Sequence, residues 1–302
     1  MTDFATQHVP VLMDEVIAQL DPQPGQVLLD GTLGGGGHAR RLAERVGPTG
    51  RVYGLDRDRR AVEAAQQAHA DVPLTPLWAN YRDVKLVLGD IGVAQLDGAL
   101  IDIGLSSDQL ADSSRGFSFT ADGPLDLRFD VSEGVPASDL LRKLDEQPLA
   151  DLIYKYGEER HSRRIARAIV ERRREKPITM AGELAELVKR CVPRTPDAQR
   201  IHPATRTFQA LRIAVNDELG ALETFLRDAP ECVRVGGRVA VITFHSLEDR
   251  IVKDAFRDDA RWSAVTKKPI TAGEAELARN PRARSAKLRT AVVTPLAGTP
   301  RI

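Results

Sequence analysis

The chain has 302 residues, of which 42% are hydrophobic and 28% are charged, and its formal net charge is zero. These values predict a globular protein with one large core or two domains, and they exclude a chain that is basic throughout. The charge is unevenly distributed, because eight Lys and Arg stand against four Glu between residues 157 and 176. From residue 277 onward there are six Lys and Arg and no acidic residue. Basic patches are therefore available for a polyanionic partner.

The sequence carries no signal for export, membrane insertion or metal binding. The first residues lack a basic region followed by an apolar core, and no apolar run approaches the ~18 residues of a membrane span. Cys191 and Cys232 are far apart, so no metal site is predicted and both thiols are expected to be reduced and buried. These features predict a cytoplasmic protein.

A cofactor-binding unit is predicted near the start of the chain. After a helix over residues 12–20, three apolar residues form a strand that ends at Asp30, and a turn with glycines at 34–37 follows. His38 then leads into a helix whose apolar residues lie four apart. This order of strand, glycine turn and helix is typical of nucleotide-cofactor sites, because glycine lets the backbone approach a ligand closely.

The next strands, over residues 51–56, 73–77 and 96–102, place more acidic residues at strand ends. Asp56 follows Gly37 by 19 positions, close to the roughly 20-residue interval of a carboxylate that binds ribose. Its alternative role is a helix N-cap for the segment from Asp58. Ligands of open parallel sheets bind outside the carboxyl ends of the strands. We therefore expect Asp30, Asp56, Asp102 and the region after Tyr81 to line one edge.

Residues 109–201 interrupt this alternation of strands and helices. Helices are predicted near 137–141, 149–156, 165–173 and 181–190, with prolines at their boundaries. We expect an all-helical inserted subdomain over 109–201, between two parts of the main domain at 1–108 and 202–302. Two sets of its residues are candidate partner contacts, namely the aromatics Phe117, Phe119 and Phe129 and the basic residues Arg160, Arg163, Arg164, Arg167 and Arg172–Arg174. The alternative role of the aromatics is a small hydrophobic core.

The last third of the chain returns to the main domain with a helix over residues 203–219. One face of this helix is predicted to be either solvated or in contact with a ligand or phosphate, and it carries Arg206, Gln209, Arg212 and Asn216. A strand over 238–244 ends at His245, a candidate substrate or loop contact. The neighbouring Ser246 fits a helix cap with Asp249. A hydrolase is disfavoured because no GxSxG motif exists.

Two late strands, near residues 264–270 and 287–293, are predicted to form an antiparallel hairpin at the sheet edge. Between them lies a basic loop in which Arg282 and Arg284 are candidate phosphate contacts.

The residues alone allow either NAD or S-adenosylmethionine as the cofactor. Residues 34–39 satisfy the loose dinucleotide pattern, which by itself is weakly specific. Asp30 directly before the turn would repel a pyrophosphate but suits a cationic amino-acid moiety. No second mononucleotide half follows, and the late hairpin resembles the one that closes a methyltransferase sheet. The pattern favours S-adenosylmethionine.

Nine sequence blocks in one order resemble the ribosomal small-subunit RNA cytosine-N4 methyltransferases, the MraW or RsmH family. The blocks are residues 8–12, 30–38, 102–110, 115–119, 122–128, 156–160, 202–209, 244–250 and 280–285. The resemblance implies a Rossmann-like class I S-adenosylmethionine-dependent methyltransferase sheet, an α/β fold, with the inserted helical subdomain. It also implies that the target is a cytidine in the decoding region of 16S ribosomal RNA, methylated at N4, so that the aromatic and basic residues of the insertion become candidate RNA contacts. The sequence leaves open whether the substrate is free RNA or the assembled small subunit.

The same resemblance implies which residues hold the cofactor. They are the residues matching Gly36, Gly37, His38, Asp56, Tyr81, Asp102 and Gln109. The pattern of the glycine turn adds Asp30 and Gly35 as predicted cofactor contacts. Tyr81 stands where some members have phenylalanine, and Gly35 stands where others carry a side chain. Asp102 is either the acceptor of the amine proton or a cofactor contact only. Amino-directed methyltransferases commonly have an Asp/Asn-Pro-Pro-aromatic stretch there, whereas this chain has Asp-Ile-Gly-Leu at 102–105.

Two other functions remain open at this stage, a nicotinamide-dependent oxidoreductase and a non-catalytic RNA-binding assembly factor. The sequence also leaves the oligomeric state open, including a homodimer.

Overall fold

The computed structural model describes residues 10–118, 123–193 and 202–295. Within these residues the first of two units, comprising the chain up to Ser106 and from Leu219 onward, is built on a seven-stranded sheet. Its strands lie in the order β3-β2-β1-β4-β5-β7-β6. They are β1 Val27–Asp30, β2 Arg51–Asp56, β3 Leu74–Trp78, β4 Leu96–Asp102, β5 Val233–Thr243, β6 Trp262–Ala264 and β7 Lys287–Val293.

Five neighbouring strands are parallel, and the last two close the sheet in the antiparallel sense. β1 pairs in parallel with β2 on one side and β4 on the other, so the order of the strands reverses beside β1. β7 is antiparallel to both β5 and β6. In an open α/β sheet a reversal of this kind forms a crevice at the carboxyl ends of the strands. The ends of β1 and β4, at Asp30 and Asp102, flank that crevice.

Helices cover both faces of the sheet because the central strands are apolar on both sides. Leu29 and Ile101 pack in the core beneath α4 Val84–Asp90, α11 Glu218–Cys232 and α12 Ser246–Asp258. Leu28 and Leu100 face the opposite core, which includes residues of α1 Met13–Leu20, α2 Gly37–Val46 and α3 Arg59–Ala68. Successive residues of a strand point to opposite faces, so the continuous apolar runs of β1 and β4 are buried on both faces of the sheet.

The second unit, Ser107–Glu218, is helical where the structure describes it. Its helices are α5 Ser107–Ala111, α6 Ala137–Lys143, α7 Glu146–Gly157, α8 Ser162–Glu175, α9 Ala181–Cys191 and α10 Thr205–Asn216. The α10 segment was predicted to lie in the main domain, but it belongs to this second unit. The reason is close packing of α10 on α7, where a Cβ at Gly157 would collide with the carbonyl oxygen of Arg206. Phe208 and Leu211 of α10 are buried.

The α/β fold class predicted from the sequence is confirmed, and most predicted elements appear within a few residues of their expected bounds. The late strand predicted at 264–270 is shorter. Continuous strand pairing is limited to Trp262–Ala264, and Ile270 forms only an isolated β-bridge with Leu288. Pro269 lies in the interruption, where it has no N–H to donate to a ladder.

Cys191 and Cys232 are both buried and free, as predicted. Across the three described ranges, no helix is both long and apolar enough to cross a membrane.

Candidate functional site

The glycine turn between β1 and α2 is tightly packed. Gly36, at the N-cap of α2, has φ +78°, and a Cβ built there would lie 2.6 Å from Cδ2 of His69. The same imidazole places Nε2 at 3.0 Å from the carbonyl oxygen of Gly35. A side chain at Gly36 would therefore be strained by its φ angle and would also meet the ring, so the glycine is required by both backbone and space.

Asp56 joins the end of β2 to this turn. Its Oδ2 accepts a hydrogen bond from the Gly34 amide at 2.8 Å, and its Oδ1 accepts from the Asp58 amide at 2.7 Å. The N-cap of α3 is Asp58, whose side chain accepts from the Arg60 amide. The alternative role of Asp56 as that helix cap is therefore wrong, and Asp56 instead fixes the turn.

Thr32 links the ends of β1 and β4. Its amide and hydroxyl donate to Oδ1 of Asp30, at 3.0 and 3.3 Å, while its Oγ1 accepts from the Asp102 amide at 2.7 Å. Thr32 was not among the predicted site residues. The available signal was its place two residues after a strand-end Asp, because Asp side chains commonly accept from the backbone two residues on.

Asp30 is a buried carboxylate and Asp102 a half-buried one, and the pKa of each is raised. Asp30 is 1% exposed, and burial raises its pKa to about 6, with repulsion from Asp56 adding to the effect against the hydrogen bonds from Thr32. Burial also raises the pKa of Asp102 well above its usual range, and the charges of Asp30 and Glu248 raise it further. Oδ1 of Asp102 is buried and has no hydrogen-bond partner among the described residues. Carboxylates perturbed in this way are candidates for proton transfer.

His38 lies on the other side of Asp102. Its ring is buried, with Nε2 3.0 Å from the carbonyl oxygen of Val11 and Nδ1 3.5 Å from Oδ2 of Asp102. The segment that supplies Val11 also packs on the glycine turn, since a Cβ at Gly37 would collide with the ring of Pro10. His38 was among the predicted site residues, whereas the segment at residues 10–12 was not.

Tyr81 forms a wall of the same edge. It begins a short 3₁₀ turn, Tyr81–Asp83, directly beyond β3. Its half-buried ring meets Phe225 edge-on, with the ring centroids 5.8 Å apart and the planes at 89°. A Cβ at Gly31 would lie 2.9 Å from Cβ of Tyr81, so the chain at the end of β1 runs directly against this residue.

His245, at the end of β5, caps α12. Its Nδ1 accepts from the Glu248 amide, and Glu248 returns hydrogen bonds by accepting from the amides of Phe244 and His245. The predicted cap, Ser246 with Asp249, is wrong by one residue, because an imidazole serves here as the capping acceptor. Asp249 is instead paired with Lys287 and Arg289. His245 is 12% exposed, and its Nε2 lies 2.8 Å from Oε1 of Glu248.

In the second unit, Gln109 lies on α5 and is buried. Phe117 is 6% exposed and stacks on Phe129, with the ring centroids 5.6 Å apart. This packing agrees with the alternative of a small hydrophobic core for these two rings. Phe119 lies outside the described residues.

The predicted basic contacts divide into exposed side chains and internally bonded ones. Arg163, Arg164 and Arg206 are exposed in the second unit, and Arg282 and Arg284 are exposed in the first, on either side of buried Ala283. Arg173 instead donates to the carbonyl oxygens of Leu141 and Leu144, which satisfies the end of α6. Three polar residues of α10 also make internal hydrogen bonds, namely Gln209 to Tyr156, Arg212 to Glu218 and Asn216 to Leu127. A phosphate-contacting role is therefore not supported for these four.

No group of three or more His, Cys, Asp or Glu side chains that could hold a metal ion occurs among the residues the structure describes.

Comparison with known proteins agrees with the resemblance found in the sequence. The model of the MraW methylase family matches residues 5–294. A relative named ribosomal RNA small subunit methyltransferase H, from Deinococcus radiodurans, is 54% identical over 282 residues, which cover 93% of this chain and 88% of the relative. The protein of the same name from Rhodopirellula baltica is 50% identical over 297 residues, covering 95% and 91%. Among solved structures, an rRNA methylase from Streptococcus thermophilus aligns with a TM-score of 0.42 and 10% identity, over 94% of each chain.

The family match spans nearly the whole chain, and about half of the residues are identical in these relatives. The chain therefore belongs to the MraW methylase family, whose members are S-adenosylmethionine-dependent methyltransferases.

Proposed function

We propose that this protein transfers the methyl group of S-adenosylmethionine to the exocyclic N4 of a specific cytidine in the decoding region of 16S ribosomal RNA. The observation that carries the proposal is Asp102, whose buried Oδ1 has no partner among the described residues and lies at the carboxyl end of β4 beside the glycine turn. The names of the relatives, which specify the small ribosomal subunit RNA, support the substrate class.

The strand-end residues suit the separate parts of the cofactor. In our proposal, the turn at Gly35, Gly36 and Gly37, with His38 after it, holds the amino-acid end against the start of α2, where backbone N–H groups favour a carboxylate. Asp30 lies near the cationic amino group. Asp56 binds the ribose hydroxyls, Tyr81 lies beside the adenine, and Asp102 completes the set within the first unit.

The acceptor amine needs help because its lone pair is delocalised into the cytosine ring. When bound, S-adenosylmethionine supplies a methyl group on a cationic sulfur, which leaves as a neutral thioether. Asp102 accepts the hydrogen bond of the N4 amine and then takes the proton that must leave when the N–C bond forms. The raised pKa of Asp102 suits this role, because it makes the carboxylate a stronger base.

We propose that exposed basic side chains bind the RNA. A base inside a stack cannot reach the sulfonium, so the target cytidine must be extruded. Arg163, Arg164 and Arg206 are exposed and cationic, and such side chains bind RNA through phosphates. We propose the same for Arg282 and Arg284 in the first unit. We propose a substrate contact for the His245 ring as well, and this ring is also bonded within the cap of α12.

Transfer of tritium from labelled S-adenosylmethionine to RNA tests the proposal. Purified protein is incubated with naked 16S RNA in one arm and small ribosomal subunits in the other, and the labelled RNA is digested to nucleosides. We expect label in one N4-methylcytidine, in at least one arm, and its loss with Asp102→Ala. Label at another atom, or none in either arm, would contradict the proposal. Binding of the RNA without any transfer would favour the assembly-factor alternative, whereas the methylase family membership already argues against the nicotinamide alternative.

A further inference from the structure

The imidazole of His38 is held between a carbonyl oxygen and a carboxylate. Nε2 lies 3.0 Å from the carbonyl oxygen of Val11, and this oxygen can only accept a hydrogen bond. The proton on the Val11 side therefore belongs to Nε2. This assignment fixes the tautomer, because a neutral imidazole carries one proton only.

The other ring nitrogen then faces Asp102 without a proton of its own. Nδ1 lies 3.5 Å from Oδ2 of Asp102, in a pair whose side chains are 6% and 17% exposed. A lone pair on Nδ1 and an anionic oxygen would repel each other at this distance in a site with little solvent. One additional proton, either on Nδ1 or on Oδ2, converts the repulsion into a hydrogen bond. A separation of 3.5 Å is long, but hydrogen bonds in sites without substrate are often long and shorten in the complex.

We propose that His38 and Asp102 share one proton, and that His38 is a positioning residue that keeps Asp102 anionic and oriented for the acceptor amine. The inference rests on the proposed function, since it assigns to Asp102 the proton of the N4 amine. It adds a role for the His38 side chain toward Asp102 to the cofactor contact that the resemblance implies for His38.

The surroundings explain why such a partner is needed. The carboxylates of Asp30 and Glu248 act on Asp102, and the Thr32 hydroxyl bonds its amide rather than its side chain. His245 is turned to Glu248, with Nε2 at 2.8 Å from its carboxylate. His38 is therefore the cationic partner that the geometry gives to Asp102. These neighbours raise the pKa of Asp102, and an imidazolium at Nδ1 counteracts them by stabilising the carboxylate.

The protons balance through one turnover. Before the reaction the pair holds one proton on the Nδ1–Oδ2 axis, which leaves Oδ1 of Asp102 available. As the N4–C bond forms and the S–C bond breaks, the sulfur keeps the electron pair and N4 loses a proton to Oδ1. The pair then holds two protons and releases one to solvent. Because the two groups titrate together, the pH dependence belongs to the pair rather than to either residue.

The position of the Val11 carbonyl is itself fixed from the other side. The next residue, Leu12, has φ +55°, and its amide donates to Oε1 of Glu276 at 2.7 Å. Leu12 is fully buried, and Pro10 packs on Gly37. The carbonyl therefore presents a fixed acceptor to Nε2, so the ring plane of His38 is set before any substrate arrives.

Two substitutions separate the contacts of the ring. His38→Gln keeps an N–H donor for Val11 but removes the nitrogen that faces Asp102. His38→Asn keeps an N–H near the position of Nδ1 but cannot share a titrating proton. His69→Gln is the matched control, because His69 contacts the same glycine turn through Gly35 and does not face Asp102.

The first measurement needs no RNA. In protein labelled with ¹⁵N-histidine, we expect a far-downfield proton resonance on His38 Nδ1 that disappears in His38→Gln and in Asp102→Asn but persists in His69→Gln. An Nδ1 that stays unprotonated throughout the range in which histidine titrates, and does not respond to Asp102→Asn, would overturn the proposal.

The second measurement is the pH dependence of methyl transfer. We expect His38→Gln to lower kcat about 100-fold near neutral pH, with recovery at higher pH and a smaller change in KM for the cofactor. His38→Asn should recover part of that loss, and His69→Gln should leave the shape of the pH profile unaltered. A parallel shift of the profile in His69→Gln, or a pH-independent loss in His38→Gln, would indicate a structural role only. If the resonance is found but no RNA is methylated, the shared proton stands and the proposed function fails.

Discussion

The carboxyl edge of the sheet and the exposed face of α8 carry opposite charges and hold them in different ways. At the sheet edge, Asp30 and Oδ1 of Asp102 are buried, and a threonine joins the two strand ends. On α8, Arg163 and Arg164 are exposed, and Arg167 makes a 3.4 Å ion pair with Glu146 across an exposed surface. The charges at the sheet edge are therefore fixed by their surroundings, whereas those on α8 are solvated.

This difference predicts two kinds of response to mutation. A buried charge interacts strongly with its neighbours because little water screens it, so one substitution changes both protonation and geometry. The charge of an exposed arginine is screened by salt, and neighbouring arginines contribute to the same binding. We expect large, pH-dependent effects at the sheet edge and small, salt-dependent effects on α8.

The largest effect is expected at Asp102. Asp102→Asn removes the proton acceptor while keeping the size of the side chain, so methyl transfer should fall about 10²–10⁴-fold. Cofactor affinity, measured by calorimetry, should change much less. The matched control is Asp97→Asn at the other end of β4, where Asp97 accepts from the Val27 amide and pairs with Arg234. Asp97→Asn should reduce stability, while the folded fraction of that variant methylates at the wild-type rate. Equal losses of the methyl-transfer rate in the two variants would show that Asp102 is not the proton acceptor.

The next effect concerns stability and pH at Asp30. Its pKa is raised from 3.8 to about 6, so protonated Asp30 favours the folded state. The stabilisation is complete below pH 3.8 and is lost as the pH rises through about 6, a change of about 3 kcal/mol. Asp30→Asn cannot ionise, so its free energy of unfolding relative to the wild type should rise by that amount over this window, as measured by urea titration at several pH values.

Asp249 provides a control of opposite sign for this measurement. Burial raises the pKa of Asp249, but the hydrogen bonds and charges of Arg289 and Lys287 together outweigh burial, so the net shift is downward. Its contribution to stability is present above the unfolded pKa and is lost as the pH falls. The destabilisation caused by Asp249→Asn should therefore shrink on acidification. A pH-independent difference between Asp30→Asn and the wild type would contradict the buried-carboxylate interpretation.

A smaller effect is expected in the glycine turn itself. Gly36 and Gly92 both have positive φ, at +78° and +69°, but a Cβ meets His69 at Gly36 and open space at Gly92. Alanine at Gly92 should cost about 1 kcal/mol for the backbone alone. Gly36→Ala should cost a further ~1–3 kcal/mol for overpacking. Chemical denaturation of both variants measures the difference, and adding His69→Ala to Gly36→Ala should recover the steric part.

The same contrast shows what the sequence could predict. The strands that end at Asp30, Asp56 and Asp102 were predictable because an apolar run followed by a turn former is a local pattern, and parallel pairing brings their ends to one edge. The contacts that join those ends were not predictable. Thr32 and Asp102 are 70 residues apart, and the carbonyl of Val11 that holds His38 belongs to the backbone, which has no sequence signature.

Two further differences have the same origin. The apolar residues of α10 recur with the helical period whether the helix packs on the first or the second unit, so their spacing did not predict the packing partner. That partner is α7, where the absence of a side chain at Gly157 allows α10 to approach closely. The cap of α12 was misplaced because Ser is the usual capping residue, whereas the buried Glu248 selects His245. In both cases a tertiary partner decided between local alternatives of similar quality.

The smallest effect is expected on the exposed face of α8. If Arg163 and Arg164 each contact one phosphate, replacing either with alanine should reduce the slope of log K against log salt by about 0.7–0.9 while leaving the fold intact. Arg173→Ala on the same helix is the control. Arg173 donates to the carbonyl oxygens of Leu141 and Leu144, so its loss should destabilise the second unit and leave the slope unchanged. An unchanged slope in Arg163→Ala and Arg164→Ala would show that these two arginines are only solvated. A reduced slope in a fully folded Arg173→Ala variant would show that Arg173 contacts RNA in place of its internal hydrogen bonds. Either result would weaken the contrast between fixed and solvated charge.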